Sequence, residues 1–227
     1  MAKKQVNQNA PQATAEEMLS KSEAFFLKYK TIIISVVAAL IILIVGYVAY
    51  NNYVAIPNKL KASTALAKGQ DYFSDQNFEK ALNGDSLGFV GFAKLAQDLS
   101  GDAGNLATLY AGLCNAQLGK WQEAANFIEK FDSKGDQMVS PAALGALGNV
   151  YAHLNQLDKA VSTLKKAAET ADNNALSPTF LIQAGEILES QGNKSEALKL
   201  YQTVKDKYFG YTQYQLLDKY IERCQGN

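Results

Sequence analysis

The chain has 227 residues, with 22 basic and 22 acidic side chains and a formal net charge of zero. That balance excludes the electrostatic footprint of a nucleic-acid binder, and two cysteines with one histidine exclude a disulfide framework or a Cys/His zinc site. Four prolines, against abundant Ala, Leu, Lys, Glu and Gln, favour an all-α chain.

Residues 1–14 are polar and amide-rich with no apolar spacing, the composition of a disordered tail. Thr14 is placed to cap a juxtamembrane helix over 15–30, with Glu16 and Glu17 in its first turn. Thr31 to Tyr50 (TIIISVVAALIILIVGYVAY) then carries no charge. At about 1.5 Å per residue, roughly 20 residues cross a ~30 Å hydrocarbon layer. Backbone amides in lipid must be satisfied within the segment, so this predicts a transmembrane helix, with flanks over 31–53.

A removable signal peptide is the competing reading. It is disfavoured by a 30-residue leader, a longer apolar run and tyrosines at the exit, where a peptidase needs small residues. Phe25, Phe26 and Tyr29 flank one end, and Tyr47, Tyr50 and Tyr53 the other, as interfacial belts. The tail up to Lys30 has five lysines against three glutamates, a surplus of two. Lys28 and Lys30 lie closer to the span than Lys59, Lys61 and Lys68, which puts the N-terminus in the cytoplasm and the rest outside. In a bacterium this is a single-pass inner-membrane protein with a periplasmic domain over 58–227. Pro57 permits a bend at the exit.

Beyond Lys59 the sequence repeats. Gly112, Gly148 and Gly185 are 36 and 37 residues apart, and a weaker copy starts at Gly69, 43 residues before Gly112. Each glycine is followed by a turn (Gln76-Asn77, Gly119, Asn155, Gly192) and then an alanine (Ala81, Ala124, Ala160, Ala197). Two antiparallel helices per repeat explain the pattern. The glycine and the alanine let the two helices close, while Tyr151, Leu164, Leu188 and Tyr201 fill between neighbours. Such a hairpin cannot bury its apolar face alone, so hairpins must stack. Leu82 to Gly104 is too long for the pattern, and its helix is expected to restart over Leu87–Leu99 after a loop at Asn83-Gly84-Asp85. The final segment, Tyr211 to Cys224, reads as a capping helix with Leu216, Leu217, Tyr220 and Ile221 on its apolar side.

These offsets resemble the tetratricopeptide repeat. The arrangement of tail, span and repeats also resembles the ancillary subunit family of the bacterial Sec translocon, in a Bacteroidota-type form. Phe25-Phe26-Leu27-Lys28-Tyr29-Lys30, Leu82-Asn83-Gly84-Asp85 and Tyr110-Ala111-Gly112 carry that likeness. The resemblance implies a helical solenoid whose first helices line an inner, concave face.

Spacing then offers Leu109 and Leu113, Asn149 and His153, and Ile182 and Glu186 as a peptide-binding groove. Gly69, Gly112, Ala124, Gly148, Tyr151, Ala160, Gly185 and Ala197 serve repeat packing. No catalytic constellation stands out, and neither a cofactor nor a metal is expected. His153 reads as a polar groove residue, Cys114 as a buried small apolar one, and Cys224 lies in a distant repeat. Glu186 and Glu189 lack a third ligand and read as a solvated face; Gly84, Gly88 and Gly91 match no phosphate loop. The functional expectation is a non-enzymatic, membrane-anchored scaffold. Its expected partners are proteins, namely translocon subunits, periplasmic chaperones or emerging chains. Self-association as an envelope structural component is the alternative.

Overall fold

The computed structural model describes residues 15–208 and 214–226, and the tail expected to be disordered lies outside them. The chain divides into two units, the first ending at Asn58 and the second starting at Lys59.

The first unit is built on α1 (Ala15–Tyr50) and a π-helical turn over Asn51–Ala55. The apolar side chains of α1 are exposed on every side, Ile42 at 71% and Leu43 at 68%. A water-soluble helix buries at least one stripe; this one is long and apolar enough to cross a membrane. The wide turn accommodates the proline that follows. Pro57 has no N–H to donate, and Ile56 N–H bonds back to Asn51 O, five residues away. The chain meets its proline with a widened turn, and helix resumes as α2 (Ile56–Ser74).

The second unit is a series of helical hairpins. Helix α2 is followed by α3 (Phe78–Asn83) and α4 (Phe92–Asp98). Then come α5 (Gly101–Gln117) with α6 (Trp121–Ile128), and α7 (Val139–His153) with α8 (Leu157–Ala171). The last pair is α9 (Ser177–Ser190) with α10 (Lys194–Lys207), capped by α11 (Tyr214–Gln225). No strand occurs among the described residues.

Four turns share one hydrogen-bond pattern. Asn77 N–H bonds Tyr72 O, Lys120 N–H bonds Asn115 O, Gln156 N–H bonds Tyr151 O and Asn193 N–H bonds Leu188 O. Each spans five residues around a left-handed residue: Gln76, Gly119, Asn155 and Gly192, with φ of 59°, 73°, 58° and 79°. This is the Schellman closure of a helix, which satisfies otherwise orphaned carbonyls. The weakest copy, at Gly69, therefore turns the chain by the same device as the other three.

The packing glycines are closed by large side chains of the second helix. A Cβ on Gly112 would lie 2.4 Å from Ile128 Cγ1, on Gly148 2.6 Å from Leu164 Cγ, and on Gly185 2.4 Å from Tyr201 Cε1. At Gly69 the group that closes in is Phe92 Cζ, at 2.5 Å. Leu164 and Tyr201 thus fill their own hairpins as well as the space between neighbours, where both belong to the core that includes Phe180 and Leu217. Tyr151 does bridge hairpins, its hydroxyl donating to Glu129 at 2.7 Å. Ala124, Ala160 and Ala197 are fully buried.

Three departures from expectation have local causes. The second helix of the first hairpin restarts at Phe92, not Leu87. Asp85 holds the intervening loop: its carboxylate accepts N–H groups of Leu87 and Phe89, both at 2.8 Å, the Tyr72 hydroxyl at 2.5 Å, and Lys68 at 2.8 Å. These donors, led by the Lys68 ammonium, hold the Asp85 carboxyl far below the usual carboxylate range. On α11, Leu216 is 41% exposed, and Leu217, Tyr220, Ile221 and Cys224 form the inward stripe. Third, the start of α7 carries a cap that sequence reading passed over. Asp136 accepts N–H groups from Met138 at 2.8 Å and Val139 at 2.5 Å, and the Ser140 hydroxyl at 2.5 Å.

That cap gives a testable pH dependence. The Ser140 hydroxyl and the backbone N–H groups lower the Asp136 carboxyl to about 2, below its ordinary value of 3.8. A depressed folded-state value stabilises above the unfolded value and is lost as pH falls towards the folded one. Asp136→Ala should cost about 1 kcal/mol near neutrality. Urea titrations should show the gap to wild type closing between about pH 4 and pH 2; a gap constant over that window would count against the cap.

Candidate interaction groove

Helices α5, α7 and α9 each expose one face, and two clefts run between them. One, of about 590 Å³, lies between α7 and α9 and is lined by Asn149, His153, Gln183, Glu186 and Ser190, among others. The second, of about 380 Å³, lies between α5 and α7, with Leu113, Gln117, Trp121, Asn149 and His153 on its walls. Asn149 and His153 line both, so the two clefts share a wall.

Four of the six residues expected in a groove are therefore on these walls: Leu113, Asn149, His153 and Glu186. Leu109 and Ile182 are not. They are 5% and 7% exposed and sit in separate apolar cores. Helical geometry explains the split. At about 100° per residue, the position after each packing glycine points about 100° from it, and the position five after points about 140° from it. Those positions are Leu113, Asn149, Glu186 and Gln117, His153, Ser190. Leu109 and Ile182 precede their glycines by three and point only about 60° away, towards the same core.

Trp121 is the groove residue that spacing within the first helices does not reach. It opens α6, half-buried, and its ring lies parallel to that of His153, with centroids 3.8 Å apart and planes 2° apart. The pair joins two hairpins at the shared wall. Gln183 lines the larger cleft with its Oε1 buried and without a hydrogen-bond partner.

Glu186 and Glu189 do not form a bare solvated face. Glu189 takes both nitrogens of a forked Arg223 guanidinium, at 2.6 and 2.7 Å, and the Tyr201 hydroxyl at 2.6 Å. Arg223 lowers the Glu189 carboxyl, while burial and Glu189 raise the Tyr201 phenol. Glu186 accepts the Tyr220 hydroxyl at 2.6 Å. These bonds span 34 residues and staple α11 to α9. Cys114 is fully buried, and burial pushes its thiol up to about 12, which removes thiolate reactivity near neutrality. Both cysteines are free thiols. Among the described residues, no three His, Cys, Asp or Glu side chains converge as a metal site.

Residues 23–219 match the family described as a tetratricopeptide repeat-like domain. The fold is similar to crystal structures of the TPR-like repeats of a putative kinesin light chain from Podosopora anserina. One of them, a single-residue variant of those repeats, is 14% identical, with a TM-score of 0.52, covering 73% of this chain and 93% of that one. A second structure of the repeats is 15% identical, with a TM-score of 0.51, covering 73% and 95%. At such identities the likeness is one of fold alone. No curated protein matches the chain. Stacked repeats of this kind present extended surfaces for other proteins, and the match over 23–219 makes this chain a member of the tetratricopeptide repeat-like domain family.

Proposed function

We propose that the protein is a membrane-anchored adaptor that holds a protein segment in the groove across α5, α7 and α9. The observation that carries this reading is the shared wall at Asn149 and His153, which joins a polar cleft to a more apolar one. The span over 31–53 fixes the adaptor at the bilayer, so a modest groove affinity acts at high effective concentration. The lysine bias around the span supports a cytoplasmic N-terminus and a repeat domain over 58–227 on the periplasmic face of the inner membrane. The likeness to the ancillary Sec-translocon subunit family supports partners among translocon subunits, periplasmic chaperones or emerging chains.

A photo-crosslinking side chain at Asn149 should capture the same protein reproducibly in intact membranes, whereas one at buried Leu109 or Ile182 should capture none. Protease added outside spheroplasts should remove the repeat domain. An empty Asn149 crosslink sinks the groove reading; digestion only from the cytoplasmic side sinks the translocation reading.

A further inference from the structure

The chemistry of the groove narrows what it accepts. Across both clefts the charged lining side chain is Glu186, and neither a lysine nor an arginine lines either wall. One helical turn before it, Gln183 lines the same cleft with its amide Oε1 buried. Positions 183 and 186 share a helix face, so the Glu186 carboxylate stands beside an amide side chain on the α9 wall. Glu186 is exposed and receives a neutral hydroxyl, from Tyr220. Glu189, by contrast, is already matched by Arg223. The far cleft is apolar around Leu113, Ala116 and Trp121.

We infer that the groove selects a cationic segment: an extended peptide whose arginine or lysine side chain sits against Glu186, with an aliphatic side chain towards Leu113 and Trp121. This rests on the groove reading above and adds its specificity. An arginine fits best in kind, because its planar fork can donate two bonds to one carboxylate. An acidic segment would bring a like charge to Glu186 and meet no compensating cation.

Trp121 is the chain's one tryptophan and lies on the groove wall, so its emission reports occupancy directly. The full chain in detergent micelles is titrated with three capped heptapeptides, Ac-Ala-Leu-Ala-Xaa-Ala-Leu-Ala-amide, in which Xaa is Arg, Gln or Glu. The Arg peptide should bind about tenfold more tightly than the Gln peptide, the scale of one charge-assisted hydrogen bond. The Glu peptide should bind most weakly, and added salt should narrow the spread.

Glu186→Gln should abolish the Arg preference, the Arg and Gln peptides then binding alike; its amide oxygen can still accept from Tyr220. Tyr220→Phe removes that hydrogen bond but keeps the charge, and should retain the preference. Equal binding of the three peptides overturns the charge inference and leaves the groove standing. An unchanged preference in Glu186→Gln also overturns it. Absence of any Trp121 response overturns both readings.

Discussion

Tyr201→Ala should destabilise the repeat domain by about 3–5 kcal/mol, the range for emptying a large aromatic site. Tyr201 is fully buried and is the largest such side chain among the described residues. Its ring occupies the space that Gly185 leaves open and stacks on Tyr220, with centroids 5.1 Å apart. Its hydroxyl donates to the carboxylate that Arg223 grips. The substitution therefore opens a void between α9 and α10 and removes the floor on which α11 rests. For a domain of this size, each kcal/mol moves Tm by roughly 2–4 °C, so thermal unfolding should shift down by about 6–20 °C. Tyr201→Phe keeps the ring and should lose only about 1–3 kcal/mol, the value of one hydrogen bond to a charged acceptor. If the two variants unfold at the same temperature, packing over Gly185 is not what holds the last hairpin.

The second large effect should appear at Gly91. Its backbone, at φ 86° and ψ 153°, lies in a region essentially reserved for glycine. A Cβ there would also meet Leu82 O at 2.4 Å and Gly84 N at 2.5 Å, both backbone atoms that cannot swing aside. Gly91→Ala therefore combines a strained dihedral with a collision, and about 3 kcal/mol or more is expected. Gly88 provides the comparison. Its φ of 102° is equally unfavourable, but nothing lies within 4 Å of its Cβ position. Gly88→Ala should show the strain alone, about 1–2 kcal/mol. Denaturant midpoints of the two variants measure the difference; equal losses would mean that the loop closes without the tight crossing at Gly91.

Much of this architecture was legible because it is periodic. The glycines at 112, 148 and 185 and the alanines twelve residues on fix hairpin length, and a left-handed Gly or Asn fixes the turn. Even the diluted first copy kept the turn at Gln76. The loop after α3 was legible at Asn83-Gly84-Asp85 but its length to Gly91 was not, because Gly84 and Gly91 serve a close backbone crossing that leaves no periodic trace. The groove was half legible. Choosing pairs four residues apart picked out Leu113, Asn149, His153 and Glu186, which line the clefts, but measuring the angle from each glycine would have excluded Leu109 and Ile182. The partners of Glu186 and Glu189 lie 34 residues away on α11. Trp121 meets His153 only because successive hairpins stack. Contacts of that range depend on packed geometry, which residue spacing does not encode.

The apolar interior of the second unit is divided. One core gathers around Phe92 and Leu95, a second around Ile128 and Val150, and a third around Leu164 and Tyr201, and the three share no residue. Each core draws on successive hairpins, so melting an inner hairpin opens two cores and melting an end opens one, and amide exchange should be fastest at the ends and slowest in the middle. The same partition suits vectorial synthesis. The segment up to Phe127 contains all the apolar partners of the first core, so that core can form while the later hairpins are still being made.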